Sequence, residues 1–177
     1  MRKIEFRLHA LKDTGDRQNL LSPDGLRQAK RVGAEQLRGK GYTHVLISGS
    51  FYAAQTACAM AEGAGDFAAS NLIVPSALCT VRTMEFEIYE NECGQTVRPE
   101  HPLIKEESFR MATEFADFVL SLPNDSHVLA IGESPFLEIL IYGLIGKVVE
   151  PLEECDKFEL DDSQFQRSAL YDGIPPL

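Results

Sequence analysis

The feature that most constrains this chain is a regular alternation of short apolar runs with longer helical patterns. Residues 3 to 9 alternate: Ile4, Phe6 and Leu8 fall on one side and Lys3, Glu5, Arg7 and His9 on the other, the two-residue period of a strand. HVLIS at 44–48, NLIV at 71–74 and VLAIG at 128–132 read as short, buried-type strands. After the first of these runs, Ser22 and Pro23 open a helix whose stripe carries Leu26, Ala29, Val32, Gly33 and Leu37 and which ends near Gly39. Further helices are expected from about Tyr52 to Glu62, closed by Gly63 and Gly65, from about Glu106 to Leu122, and from Pro135 to Leu144. Strand then helix, repeated, implies a mostly parallel central sheet covered on both faces, a three-layer α/β/α architecture.

A chain of 177 residues with 44% hydrophobic content is sized for one substantial core, so residues 1–177 are expected to form a single domain. Residues 75–104 break the alternation. They hold the acidic run MEFEIYENECG and Pro99 and Pro102, and they read as an irregular insertion or lid beside the sheet. The tail offers two candidate strands, KVVE at 147–150 and KFEL at 157–160, before a loop at Ile174 to Leu177.

The net charge of −10 argues against a sequence-independent nucleic-acid binder, which needs a basic surface to neutralise phosphates. Charges interrupt the amino-terminal MRKIEFRLHALKD, and no apolar run approaches the ~18 residues of a membrane span, so a cytoplasmic protein with no membrane partner is expected. Cys58, Cys79, Cys93 and Cys155 show neither CxxC spacing nor neighbouring histidines. They are read as free, mostly packed thiols, with no metal and no cofactor expected.

Ligands of open α/β sheets sit outside the carboxyl ends of the strands. That rule selects His9–Ala10, Ser48 to Tyr52 and Gly132 to Ser134. His44 and His127 precede their strands, and about four residues at ~3.3 Å each put them roughly 13 Å from that crevice. His101 lies in the insertion, from which it could fold over the crevice. The turn Gly132-Glu133-Ser134-Pro135-Phe136 looks like the GxSxG elbow of α/β-hydrolases, but its fifth position is Phe136 and no histidine follows His127, so the serine, acid, histidine order cannot be assembled. Ser134 instead reads as a helix N-cap with Pro135 at the first helical position.

Four segments, RLHA at 7–10, LSPDGLRQA at 21–29, ISGSFYAAQTA at 47–57 and IGES at 131–134, together resemble the histidine phosphatase superfamily, in order and on the same elements. The resemblance implies a phosphoglycerate-mutase-like fold. It also implies a chemistry in which one histidine is phosphorylated, two arginines and a second histidine hold the phosphoryl group, and a carboxylic acid protonates the leaving group. His9 matches the nucleophile. The other positions depart: Leu8 and Tyr52 stand where the arginines belong, Glu133 where the second histidine belongs, and Ala10 replaces a glycine.

Phosphoryl transfer depends on cations and donors placed in advance around developing negative charge. A pocket holding Leu8, His9, Tyr52 and Glu133, with Ser48 and Ser134 beside it, is therefore expected to bind phosphate weakly. The first expectation is a divergent member that keeps the scaffold and His9, is impaired in ordinary phosphomonoester hydrolysis, and binds a different small-molecule ligand or a partner. The alternative is an active phosphatase or phosphomutase acting on a phosphorylated metabolite or phosphoprotein. It would use His9 as nucleophile, Arg7 as anion clamp, with Arg82 and Arg98 as further cations, and Glu133, Glu85 or Glu87 as acid. Glu133 beside His9 is expected to keep the imidazole protonated.

Overall fold

Five strands form one sheet: β1 (Lys3–Leu8), β2 (His44–Ile47), β3 (Leu72–Ile73), β4 (His127–Gly132) and β5 (Lys157–Asp161). Their order is β3-β2-β4-β1-β5. The first four run parallel, and β5 closes the edge antiparallel to β1. The computed structural model describes residues 1–15, 19–66, 72–78, 84–94 and 96–165, without the side chains of Met84 and Glu85. Asn71, Cys79, Arg82 and the terminal Ile174–Leu177 loop lie outside the described residues.

Helix α1 (Pro23–Val32) starts as its sequence dictates: the Ser22 hydroxyl accepts the Gly25 N–H, and Pro23 fills the first position, where no N–H is needed. It runs on into a π-helical turn, Gly33–Leu37. Its buried stripe is Gly25, Ala29 and Val32, whereas Leu26, expected on that stripe, is 38% exposed and lies one position round the helix. Gly25 takes the inner place because a Cβ there would stand 2.1 Å from the Leu11 carbonyl oxygen. Helix α2 (Phe51–Ala64) is capped by Ser50, whose hydroxyl accepts from the Ala53 N–H, and is ended by Gly65 at φ +73°.

The opposite face carries α4 (Pro102–Ser121) and α5 (Phe136–Ile145). Within the segment expected to be irregular lies a further helix, α3 (Met84–Cys93). Its acidic residues mask a short apolar seam: Phe86 stacks on Phe136 at 4.6 Å between ring centroids, and Tyr89 is buried beside it. Helix α4 begins four residues earlier than the charge pattern implied, because Pro102 is compatible with a first helical turn. The candidate strand KVVE forms none, while KFEL becomes β5. The edge of β1 is occupied by β5, and Val148 is left half exposed.

Alternation along the strands divides the core. Val128 and Ala130 of β4 join Ile4, Phe6 and Leu8 of β1 under α4 and α5, whereas Leu129 and Ile131 join Val45 and Ile47 of β2 under α1 and α2. Each fully buried aliphatic or aromatic side chain contributes about 1.5–3 kcal/mol over an exposed one, so these layers fix the register that brings the ends of β1, β2 and β4 together.

Candidate functional site

His9 follows β1 directly and is tied into the sheet edge by its backbone: its N–H donates to the Gly132 carbonyl at 3.1 Å, and its carbonyl accepts from Cys155 N–H at 3.3 Å. Here a cleft of about 550 Å³ opens, with Leu8, His9, Lys12, Ser134, Glu153 and Glu154 among its walls. The strand-end rule thus finds the concavity, and the loop 150–156 supplies a wall that no sequence motif marked.

The His9 ring is 6% exposed. Its Nδ1 lies 2.8 Å from the Ala10 carbonyl oxygen. A carbonyl can only accept, so Nδ1 carries the proton. Burial is the main influence on this imidazole and lowers its pKa below the ordinary 6.5. The Ala10 bond opposes that shift, the Lys12 charge adds to it, and Glu133 and Glu154 oppose it. The neutral ring with a bare Nε2 is therefore favoured at neutral pH, contrary to the expectation that Glu133 would keep it charged. Glu133 is engaged elsewhere, with one carboxylate oxygen 3.6 Å from the Lys12 ammonium.

Lys12 was not marked by the sequence pattern, yet it is the cation nearest this arrangement among the described residues lining the cleft. Its ammonium sits 4.5 Å from the centroid of the Tyr52 ring, on the ring face, and Tyr52 in turn lies 5.5 Å from the His9 ring. Tyr52 thus stands beside His9 as expected, with its hydroxyl accepting from the Asn19 N–H. The available clue to Lys12 was a lone cation three residues beyond a strand-end histidine.

Arg7 shares a face with His9, but its guanidinium is not available to the cleft. It donates from Nε to Glu5 at 2.5 Å, from Nη1 to the Cys155 carbonyl at 2.8 Å and from Nη2 to Gln36 at 2.9 Å, and it is 1% exposed. Glu5 also accepts from Lys40 at 2.5 Å and Tyr42 at 2.7 Å. This part of the sheet face is covered by the π-helical turn and the loop after it, so a buried polar network replaces apolar packing. Through Cys155, held at φ +65°, Arg7 fixes the turn that carries Glu153 and Glu154.

Ser134 does not cap α5. Pro135 occupies the N-cap position, the Ser134–Pro135 peptide is cis, and the Ser134 hydroxyl donates to Glu138 Oε1 at 3.0 Å. The same oxygen accepts from Leu152 N–H at 2.9 Å. Glu138 is buried behind the cleft wall, its Oε2 has no partner among the described residues, and burial raises its pKa above the carboxylate norm, despite the opposing Leu152 and Ser134 bonds. The signal for it was plain in retrospect: it is the one charge in the ten-residue helix FLEILIYGLI.

The remaining candidates are dispersed. Ser48 is buried at the end of β2, its hydroxyl 3.1 Å from that of Ser50. Glu87 faces solvent on α3, and the side chain of Glu85 lies outside the described residues. Arg98 is exposed, and His101 precedes α4 with its ring edge-on to Tyr89 at 4.9 Å. His44 and His127 begin β2 and β4, the ends opposite the cleft.

No family model and no curated protein matches the chain. Solved structures do. The Entamoeba histolytica phosphoserine phosphatase in complex with 3-phosphoglyceric acid is 17% identical over 90% of each chain, with a TM-score of 0.64. A mycobacterial glucosyl-3-phosphoglycerate phosphatase is 15% identical over 93% of this chain and 95% of its own, with a TM-score of 0.66. YhfR of Bacillus stearothermophilus is 14% identical over 94% and 95%, with a TM-score of 0.67. At such identity the likeness is one of fold: the chain has the phosphoglycerate-mutase-like fold of the histidine phosphatases. Among the described residues, no helix is long and apolar enough to cross a membrane.

Proposed function

We propose that this chain is a histidine-phosphatase-fold protein that has lost ordinary phosphomonoester chemistry and uses the cleft at His9 to bind a small molecule other than a phosphate monoester. One observation carries the reading: among the described residues lining the cleft at His9, the charged groups are carboxylates and one lysine, Lys12, already paired with Glu133, while Arg7 is engaged by Glu5, Gln36 and Cys155. Phosphoryl transfer needs cations aimed at three equatorial oxygens. Losing one such donor typically costs about 10² to 10³ in rate, and the departures at Leu8, Tyr52 and Glu133 remove three. Incubation with phosphoramidate, followed by ³¹P NMR, is expected to give no phosphohistidine. Turnover of p-nitrophenyl phosphate is expected at least ~10³-fold below that of an ordinary phosphomonoesterase. A stoichiometric phosphohistidine at His9 would refute the proposal.

A second reading has one observation in its favour: the neutral His9 with Nδ1–H bound to Ala10 has the tautomer a nucleophile needs, and no described residue engages its Nε2. In that reading the protein is a phosphatase or phosphomutase. Lys12, rather than the paired Arg7, would then meet the anion, with Glu133 as acid. The phosphoramidate experiment separates the two.

A further inference from the structure

Among the described residues, the hydrogen-bonding groups on the floor of the cleft around His9 and Ser134 are mainly acceptors. The His9 Nδ1–H is given to the Ala10 carbonyl, so Nε2 is an acceptor that no described residue engages, in a residue more than nine-tenths buried. The Ser134 hydroxyl proton is given to Glu138, leaving its oxygen lone pairs for the cleft. Main-chain donors around them are engaged as well: Ala10 N–H by Thr56, Leu11 N–H by Gln28, Leu152 N–H by Glu138 and Glu153 N–H by Asp156. Glu153 and Glu154 add carboxylates on the wall, and Glu133 stands at the Lys12 end.

The protein's own Lys12 shows what such a setting accepts. Its ammonium rests on the Tyr52 ring face and against the Glu133 carboxylate, two features that together form a seat for an N–H-bearing cation. From this geometry we infer that the cleft ligand is a small organic cation carrying N–H donors, an alkylammonium or alkylguanidinium, whose donors meet His9 Nε2 and Ser134 Oγ while the carboxylates balance its charge. Lys12 is then an internal competitor for part of the site. The inference rests on the proposed loss of phosphate chemistry and gives that reading its ligand class.

The test uses the full chain labelled with ¹⁵N-histidine and agmatine as probe, with an ammonium at one end and a guanidinium at the other. Agmatine is expected to shift the His9 Nε2 resonance saturably, and tetramethylammonium, which has no donor, is not. Glu133→Gln and Glu154→Gln are each expected to weaken agmatine binding by about tenfold, the usual cost of removing a charged hydrogen-bond partner. Lys12→Gln should tighten it by about threefold by removing the competitor, a gain that misfolding cannot mimic.

No saturable shift in the folded protein, an equal response to tetramethylammonium, or binding indifferent to Glu133→Gln, Glu154→Gln and Lys12→Gln alike would overturn the inference while leaving the loss of phosphate chemistry standing. Phosphoramidate labelling of His9 would instead overturn the underlying reading, and the ligand class with it.

Discussion

Arg7 shows how one residue can sit on the right face and still serve a different purpose. Period-two alternation placed it beside His9, and the shared face is observed, but the direction of its guanidinium depends on Gln36 and Cys155, 29 and 148 residues away. Arg7→Met is expected to destabilise the protein by about 3–5 kcal/mol, read from urea denaturation, because it leaves Glu5 buried with only part of its pairing and frees the Cys155 carbonyl. Glu138 makes a second residue-scale case. Its folded pKa lies above its ordinary value of 4.5, so the stability it contributes is fully present below that value and is lost as pH rises through the folded value. Glu138→Gln keeps an acceptor for Ser134 and Leu152 but cannot ionise. Urea midpoints at pH 4, 6 and 8 should therefore shift progressively in the variant's favour as pH rises. The position of His9 at the crevice was legible because it follows from a strand end. The roles of Arg7 and Lys12 were not, because they depend on which distant groups meet them; Glu138 stood out as a lone charge in an apolar helix, but its bond to Leu152 did not.

At the scale of elements, sequence patterns served well where a cap or a stop was local and poorly where packing decided. Ser22 with Pro23 marked the start of α1, and Gly65 the end of α2, through bonds spanning three or four residues. Helix α3 escaped notice because its two inward aromatics, Phe86 and Tyr89, are outnumbered by glutamates, and its docking surface, Phe136, lies fifty residues on. The contact between α1 and α2 supplies a sharper test. A Cβ on Gly63 would stand 2.0 Å from the Lys30 carbonyl oxygen, and one on Gly33 would stand 2.0 Å from that of Met60. The two backbones therefore meet with no room for a methyl group. Gly63→Ala should force the helices apart and cost about 1–3 kcal/mol, although alanine is the better helix former and would be expected to stabilise an isolated helix. Thermal unfolding of the variant decides between the two signs.

For the molecule as a whole, the question is whether the scaffold or a few side chains prevent phosphate recognition. The fold is shared over about nine-tenths of the chain with solved proteins only 14–17% identical to it, so the overall fold survives extensive replacement of the residues that fill it. If the scaffold is intact, changing the charge at the crevice should be enough to change its ligand. Tyr52→Arg combined with Glu133→His tests this at two partly buried positions, Tyr52 at the margin of the core under α1 and α2 and Glu133 at the end of β4. The new guanidinium would replace the ring that seats Lys12, and the imidazole would replace the carboxylate that pairs with it, freeing the ammonium. Two cations and a donor would then face His9 in place of an aromatic ring and an ion pair. Inorganic phosphate, expected not to bind the unmodified protein, should bind the double variant and displace nothing from the Arg7 network, because that network lies behind the wall. Calorimetric titration with phosphate, with the unfolding midpoint as a control, would show the gain. An unchanged midpoint with no phosphate binding would place the barrier in the shape of the crevice rather than in its charge.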